Sequence, residues 1–176
     1  MNFSDPRENV LQLGLKEGMR VGDLGAGSGH YTIAAAAIVG GEGQVYAIDI
    51  QEDILKHIRD LAHAKALRNV STIWGNLEKP GGTTLRDQTL DAVILANTLF
   101  QLEHKERVVA EIKRVLKPGG RLLVVDWAGA YGGMGPAPHH VVSERTAEEL
   151  FIGNGFHKVK SLRAGPHHYG ILFTAP

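Results

Sequence analysis

Arg20-Val-Gly-Asp-Leu-Gly-Ala-Gly-Ser-Gly-His-Tyr31 is the stretch on which the reading of this chain turns. A short apolar run, Met19 to Leu24, breaks into glycines at positions 25, 27 and 29. The small-residue segment Thr32 to Val39, rich in helix formers, follows. That order predicts a strand, a tight turn and a helix. Glycines let such a turn adopt strained angles and bring its backbone close to a ligand. The N-terminus of the next helix offers free N–H groups and a partial positive charge, which favour an anionic ligand group. The dinucleotide fingerprint G-x-G-x-x-G needs a third glycine where His30 stands. The pattern present is Asp23-x-Gly25-x-Gly27-x-Gly29, with an acid still on the strand.

Working outward, the next unit repeats the logic. Gln44-Val-Tyr-Ala-Ile-Asp49 predicts a second strand ending in an acid about 20 residues beyond the turn, within reach of a ribose diol. The same carboxylate could instead cap the following helix, predicted over 51–65 with Ile54, Ile58, Leu61 and Lys65 along one side. Val70 to Gly75 predicts strand three, running into Asn76-Leu77. Residues 81–89 form a polar loop. Leu90 to Asn97 predicts strand four, nearly all apolar, as a strand covered on both faces should be. A helix from Glu103 to Leu116 is stopped by Lys117-Pro-Gly-Gly120, and Arg121 to Trp127 predicts strand five. Upstream, Asp5 and Pro6 open a helix over 5–15. Downstream lies a Gly/Pro/His-rich loop, 127–142. Thr146-Ala-Glu-Glu149 reads as a capping box for a short helix. Val159 to Leu162 and His168 to Phe173 form a closing hairpin about the Gly165-Pro166 turn.

Composition narrows the function classes. The 176 residues make one domain, with no repeat or linker, and bury a real core. Nineteen basic residues balance 19 acidic ones, so nothing suggests a nucleic-acid partner or an anionic membrane surface. There is no cysteine, hence no disulfide scaffold. The N-terminus shows neither a basic start nor an apolar signal core, and no apolar run nears the roughly 20 residues of a membrane span. A cytoplasmic protein is expected.

Two separate stretches then converge. The Asp23 to Gly29 turn resembles the first motif of the class I S-adenosylmethionine (SAM)-dependent methyltransferases. Arg114-Val-Leu-Lys-Pro-Gly-Gly-Arg-Leu-Leu-Val-Val-Asp126 resembles the corresponding part of small-molecule members, including the ubiquinone and menaquinone biosynthesis type. The likeness covers roughly residues 5–173. It implies a three-layer, doubly wound, mostly parallel seven-stranded sheet with an antiparallel final strand. It implies that residues 19–176 form the core and that 1–18 cover the pocket. It further implies that Asp23 sits near the methionine ammonium of SAM and that Gly25, Ala26, Gly27 and Gly29 pass under the methionine and ribose. Tyr31, Asp49, Ile50, Gly75, Asn76, Leu77 and Asn97 complete the implied cofactor set. The family has an acid where Asn76 stands; the amide oxygen can still accept from an adenine amino group, but the charge is gone.

Four polar strand ends, at Asp23, Asp49, Asn76 and Asn97, converge at the carboxyl edge of the predicted sheet, where open α/β sheets bind ligands. Methyl transfer from a sulfonium mainly needs an oriented acceptor, and a base only where the acceptor must lose a proton. Candidates for that base are Asp126, His139, His140 and Tyr31. Adjacent strand residues point apart, so neither His139-His140 nor His167-His168 easily makes a two-ligand metal site, and no metal is expected. The expected reaction yields S-adenosylhomocysteine and a methylated small molecule, in a monomer or homodimer. The alternatives are a non-catalytic SAM-binding module, a protein methyltransferase and a nicotinamide-dependent oxidoreductase. His30 and the missing Tyr-x-x-x-Lys pair oppose the last.

Overall fold

The computed structural model describes residues 5–176. In chain order the elements are α1 (Pro6–Leu11), β1 (Arg20–Leu24), α2 (His30–Val39), β2 (Gln44–Asp49), α3 (Glu52–Ala64), β3 (Val70–Trp74) and β4 (Leu90–Ala96). Then come α4 (Lys105–Val115), β5 (Leu116–Trp127), α5 (Glu144–Gly153), β6 (His157–Arg163) and β7 (His168–Thr174). Single 3-10 turns lie at Leu99–Gln101 and Pro138–His140.

The seven strands form one sheet in the order β3-β2-β1-β4-β5-β7-β6. Neighbours from β3 to β5 are parallel, whereas β7 runs antiparallel to both β5 and β6. The three-layer, mostly parallel sheet expected from the sequence is thus present. The chain winds outward from β1 to β3, then restarts at β4 on the other flank of β1. That reversal opens a crevice at the carboxyl ends of β1 and β4.

Alternation along the strands builds two cores. Val21, Val45, Ile94, Leu123 and Val125 pack against Val10, Tyr31, Ala35 and Val39 of α1 and α2. Leu24, Leu95, Leu122, Val124, Ile171 and Phe173 meet Val108, Ile112, Phe151 and Phe156 on the opposite face. No helix among the described residues is long and apolar enough to cross a membrane.

Several local expectations shift. Helix α1 stops at Leu11, well short of residue 15; Asp5 caps it, accepting from the N–H groups of Arg7 and Glu8. The buried side of α3 is Leu55, Ile58 and Ala62, whereas Leu61 is only half-buried. Helix α5 starts at Glu144, because Ser143, not Thr146, is its cap: Ser143 Oγ accepts from Thr146 N at 3.1 Å. Strand β5 reaches back to Leu116, which pairs with Leu90 before the register slips across Lys117–Gly120. The edge strand β6 is exposed along most of its length and carries Lys158, Lys160 and Arg163, charges that discourage pairing with another chain.

The 81–89 loop is tied down more firmly than its polar sequence suggests. Glu111 of α4 is 4% exposed and accepts from Gly81 N, Thr83 N and Thr83 Oγ1 at 3.1, 3.1 and 2.6 Å. Arg114 clamps the same carboxylate through Nε and Nη2 at 2.9 and 2.7 Å. The clamp holds Gly82 against Gly75 at the end of β3, where a Cβ on Gly75 would lie 2.3 Å from the Gly82 carbonyl. Burial opposes ionisation of Glu111, but Arg114 and Thr83 outweigh it and hold the carboxyl at about 2. A depressed carboxyl stabilises the fold above its unfolded value, and that contribution fades as pH falls toward 2. Glu111→Ala leaves a half-buried guanidinium and two N–H groups without their acceptor. We expect it to lower the unfolding free energy by about 3 kcal/mol at pH 7 in urea melts. The gap between variant and wild type should narrow between pH 5 and pH 2.

Candidate active site

A cavity of about 620 Å³ occupies the crevice at the carboxyl ends of β1 and β4. The glycine turn forms its floor. Gly25 N and Ala26 N both donate to the Ile48 carbonyl, which draws the turn onto β2. Gly25 has φ +73°, and a Cβ there would lie 2.6 Å from Thr98 Oγ1; Gly29 has φ +76° and would meet Ile58 at 2.8 Å. The turn therefore admits no side chain at these two positions without displacing a neighbour.

Asp49 closes the turn from the side. Its Oδ2 accepts from Gly27 N at 3.1 Å and its Oδ1 from Gln51 N at 3.0 Å. Each carboxylate oxygen keeps a lone pair for a further donor. Asp49 is not the cap of α3 that its position allowed: Gln51 is the N-cap, without a side-chain cap bond, and Asp49 holds only the Gln51 N–H. Ile50, Ile54, Leu77 and Leu102 make the apolar wall on this side. The Asn76 amide oxygen accepts from Glu78 N at 2.9 Å, which leaves its amide hydrogens as further donors.

Of the sequence-derived set, Gly25, Ala26, Gly27, Tyr31, Asp49, Ile50, Gly75, Asn76, Leu77 and Asn97 line this cavity together. Asp23 and Gly29 stand outside its lining. Asp23 is 1% exposed and accepts from Thr32 Oγ1 at 2.5 Å, so it stands behind the turn rather than in the wall. The base candidates separate. Tyr31 is in the wall, and its hydroxyl accepts from Asn9 Nδ2 at 3.0 Å. His139 and His140 are exposed on their 3-10 turn and are not part of the lining. Asp126 is fully buried: its Oδ1 accepts from Trp127 N at 2.7 Å, and the Leu99 and Phe100 N–H groups face it. Burial, against those bonds, pushes it up to about 6. Its place at the head of the Leu99–Gln101 turn is that of a cap.

Sequence reasoning passed over Pro6, Ser28, His30, Gln51, Glu78, Thr98, Gln101, Trp127 and His168, all in the lining. Most are chain neighbours of residues it chose. Trp127 and His168 are different: only the antiparallel pairing of β5 with β7 sets them side by side. Among the described residues, no group of three His, Cys, Asp or Glu side chains could hold a metal.

Burial pushes Asp23 up to about 7, against the pull of Thr32, with a further push from Asp49. A carboxyl raised in the folded state stabilises below its unfolded value of 3.8, and that stability is lost as pH climbs through 7. Asp23→Asn keeps an acceptor for Thr32 without the charge. In thermal melts of the ligand-free chain we expect it to be more stable than wild type at pH 8, by about 1–2 kcal/mol, with that advantage absent at pH 4.

Comparisons with known proteins agree with this geometry. A family model described as a methyltransferase domain matches residues 15–164. A ubiquinone/menaquinone biosynthesis C-methyltransferase from Marinomonas sp. is 37% identical over 123 residues, 69% of this chain and 48% of that protein. The chain thus spans about half the length of such curated relatives. The crystal structure of a SAM-dependent methyltransferase from Aquifex aeolicus superposes with a TM-score of 0.89 at 30% identity, over 99% of this chain and 91% of that one. An arsenic (III) SAM methyltransferase from Chlamydomonas reinhardtii shares the fold at 24% identity, with a TM-score of 0.71 over 90% and 63% of the two chains.

Proposed function

Because the chain belongs to the methyltransferase-domain family, we propose that it binds SAM in the cavity at the β1–β4 crevice and transfers its methyl group to a small-molecule acceptor. The observation that carries this reading is Asp49. It sits at the end of β2 with both oxygens fixed by backbone N–H groups and lone pairs to spare for a ribose diol. The glycine turn would lie under the methionine, with the buried charge of Asp23 favouring its ammonium. Ile50, Asn76 and Leu77 would hold the adenine. The cofactor supplies an activated methyl; the protein's task is to exclude water and orient the acceptor.

The far wall, with Trp127 and His168, suits a compact, ring-bearing acceptor. The quinone-biosynthesis names of the curated relatives favour the same class. Residues 19–176 would serve as the core, with residues 5–18 over the cavity and Pro6 reaching its wall; residues 1–4 lie outside the described residues. The balanced charge gives no reason to invoke nucleic acid, and we take the chain to work in the cytoplasm as a monomer or homodimer.

Calorimetric titration with SAM, S-adenosylhomocysteine and NADH tests the cofactor. We expect micromolar binding of the first two and none of the third. Asp49→Ala should weaken SAM binding roughly 30-fold, about 2 kcal/mol. Unchanged affinity in that variant, or binding of NADH alone, would overturn the assignment. A chain that binds SAM but methylates nothing in an acceptor screen would be a binding module instead.

A further inference from the structure

On the side of the cavity away from Asp49, β5 and β7 pair Trp127 with His168. The imidazole lies against the indole, ring centroids 4.3 Å apart, and both residues line the cavity. His168 is 6% exposed, and neither Nδ1 nor Nε2 has a hydrogen-bond partner. A neutral imidazole carries one donor and one acceptor. Leaving such groups buried and unpaired costs stability. Among the described residues the ring's one ring contact is with the indole, so the fold supplies nothing polar in return. A buried polar ring kept at that cost in a cavity wall calls for a ligand that completes it. Asn97 adds a second such atom. Its Oδ1 is buried and unpartnered, its backbone has φ +55°, and it lines the same cavity. Only β5 lies between β4 and β7, so the ends of those strands stand roughly 10 Å apart. That spacing matches a single aromatic ring with its substituents.

We propose that His168 is the proton-accepting group for the acceptor, and that the acceptor is an aromatic ring bearing a hydroxyl, seated against Trp127 with its O–H aimed at the imidazole. This rests on the methyl-transfer reading above. The hydroxyl proton passes to the free imidazole nitrogen, and the oxygen's electron pair forms the new bond to the methyl carbon. The bond from that carbon to sulfur breaks with its electrons on sulfur, giving S-adenosylhomocysteine. The imidazolium then returns its proton to water. Several titratable groups surround this ring. His167 adjoins it and stacks on Tyr131 of the 128–142 segment at 4.3 Å. Tyr31 of α2 shares the cavity. Asp126 and Tyr169, the alternate residues of β5 and β7, face the other side of the sheet. Burial, with His167 beside it, holds His168 below the usual histidine range, so it is neutral and able to take a proton at pH 7.

The test uses the whole chain with phenol and 1,2-dihydroxybenzene as probes. The imidazole resonances of His168 are followed by NMR, assigned by their loss in His168→Gln. Either probe should shift His168 selectively among the nine histidines. In turnover with SAM, kcat should rise with pH through the titration of His168. His168→Gln, which can still hydrogen-bond, should keep KM within about threefold while kcat drops roughly 100-fold and loses that pH limb. His168→Phe should raise KM as well. S-adenosylhomocysteine affinity should be unchanged in both variants. Probes that leave the His168 resonances unmoved, or a His168→Gln enzyme with the wild-type pH profile, overturn the proposal while leaving SAM binding intact. Loss of S-adenosylhomocysteine binding by the wild-type chain would instead sink the methyl-transfer reading and the base role with it.

Discussion

The Asp49 carboxylate is the joint on which this structure depends. One of its oxygens holds the glycine turn after β1 through Gly27 N, and the other holds the start of α3 through Gln51 N. Two consecutive βα connections, which would otherwise be independent loops, are locked into one rim. The turn cannot relax away from β2, because Gly25 N and Ala26 N also bond the Ile48 carbonyl. Loop mobility is thereby removed where a cofactor would need preformed donors. A site built this way binds without first ordering its own backbone, which is where most of the entropic cost of recognition falls.

The same rim carries a buried electrostatic cost. Asp23 lies under the turn with its carboxyl raised to about 7 by burial, and nearby Asp49 makes ionisation harder. An ammonium arriving in front of the turn would relieve both. The ligand-free fold is in this sense less stable than it could be, and the deficit is the part of the binding energy that a cationic ligand recovers. Asp126 shows the structural counterpart. It is also buried and raised, to about 6, yet its Oδ1 accepts from Trp127 N with the Leu99 and Phe100 N–H groups facing the carboxyl, while its Oδ2 has no partner among the described residues. Two acids of similar burial thus take different roles according to what faces them.

The glycine-turn side of the cavity was largely legible from sequence because its determinants are local. A strand, a turn of alternate glycines and an acid at the end of the next strand are written within 30 consecutive residues, and parallel winding does the rest. Boundaries governed by a single hydrogen bond were less legible: the capping box at Thr146 looked convincing, but Ser143 lies three residues earlier and captures the helix end first. The acceptor side was not legible at all. Trp127 and His168 are 41 positions apart and meet only through the β5–β7 register, which no pattern in either strand announces. His168 was weighed only with His167 as a metal pair, and strand alternation spoke against that pair without suggesting a role for one ring alone.

This division has a consequence for how far family membership reaches. The methyltransferase-domain match spans residues 15–164 and ends before β7 begins. The glycine turn, Asp49 and Asn76 all fall inside it; His168 falls outside. The family pattern therefore takes in the glycine-turn side of the cavity and Trp127, but not His168. The strand that carries His168, β7, lies outside that pattern, although the Aquifex aeolicus methyltransferase superposes over 99% of this chain. If the proposed base role holds, acceptor identity would be set at the Trp127–His168 wall, and it would have to be read from those two side chains rather than inherited from the names of the relatives.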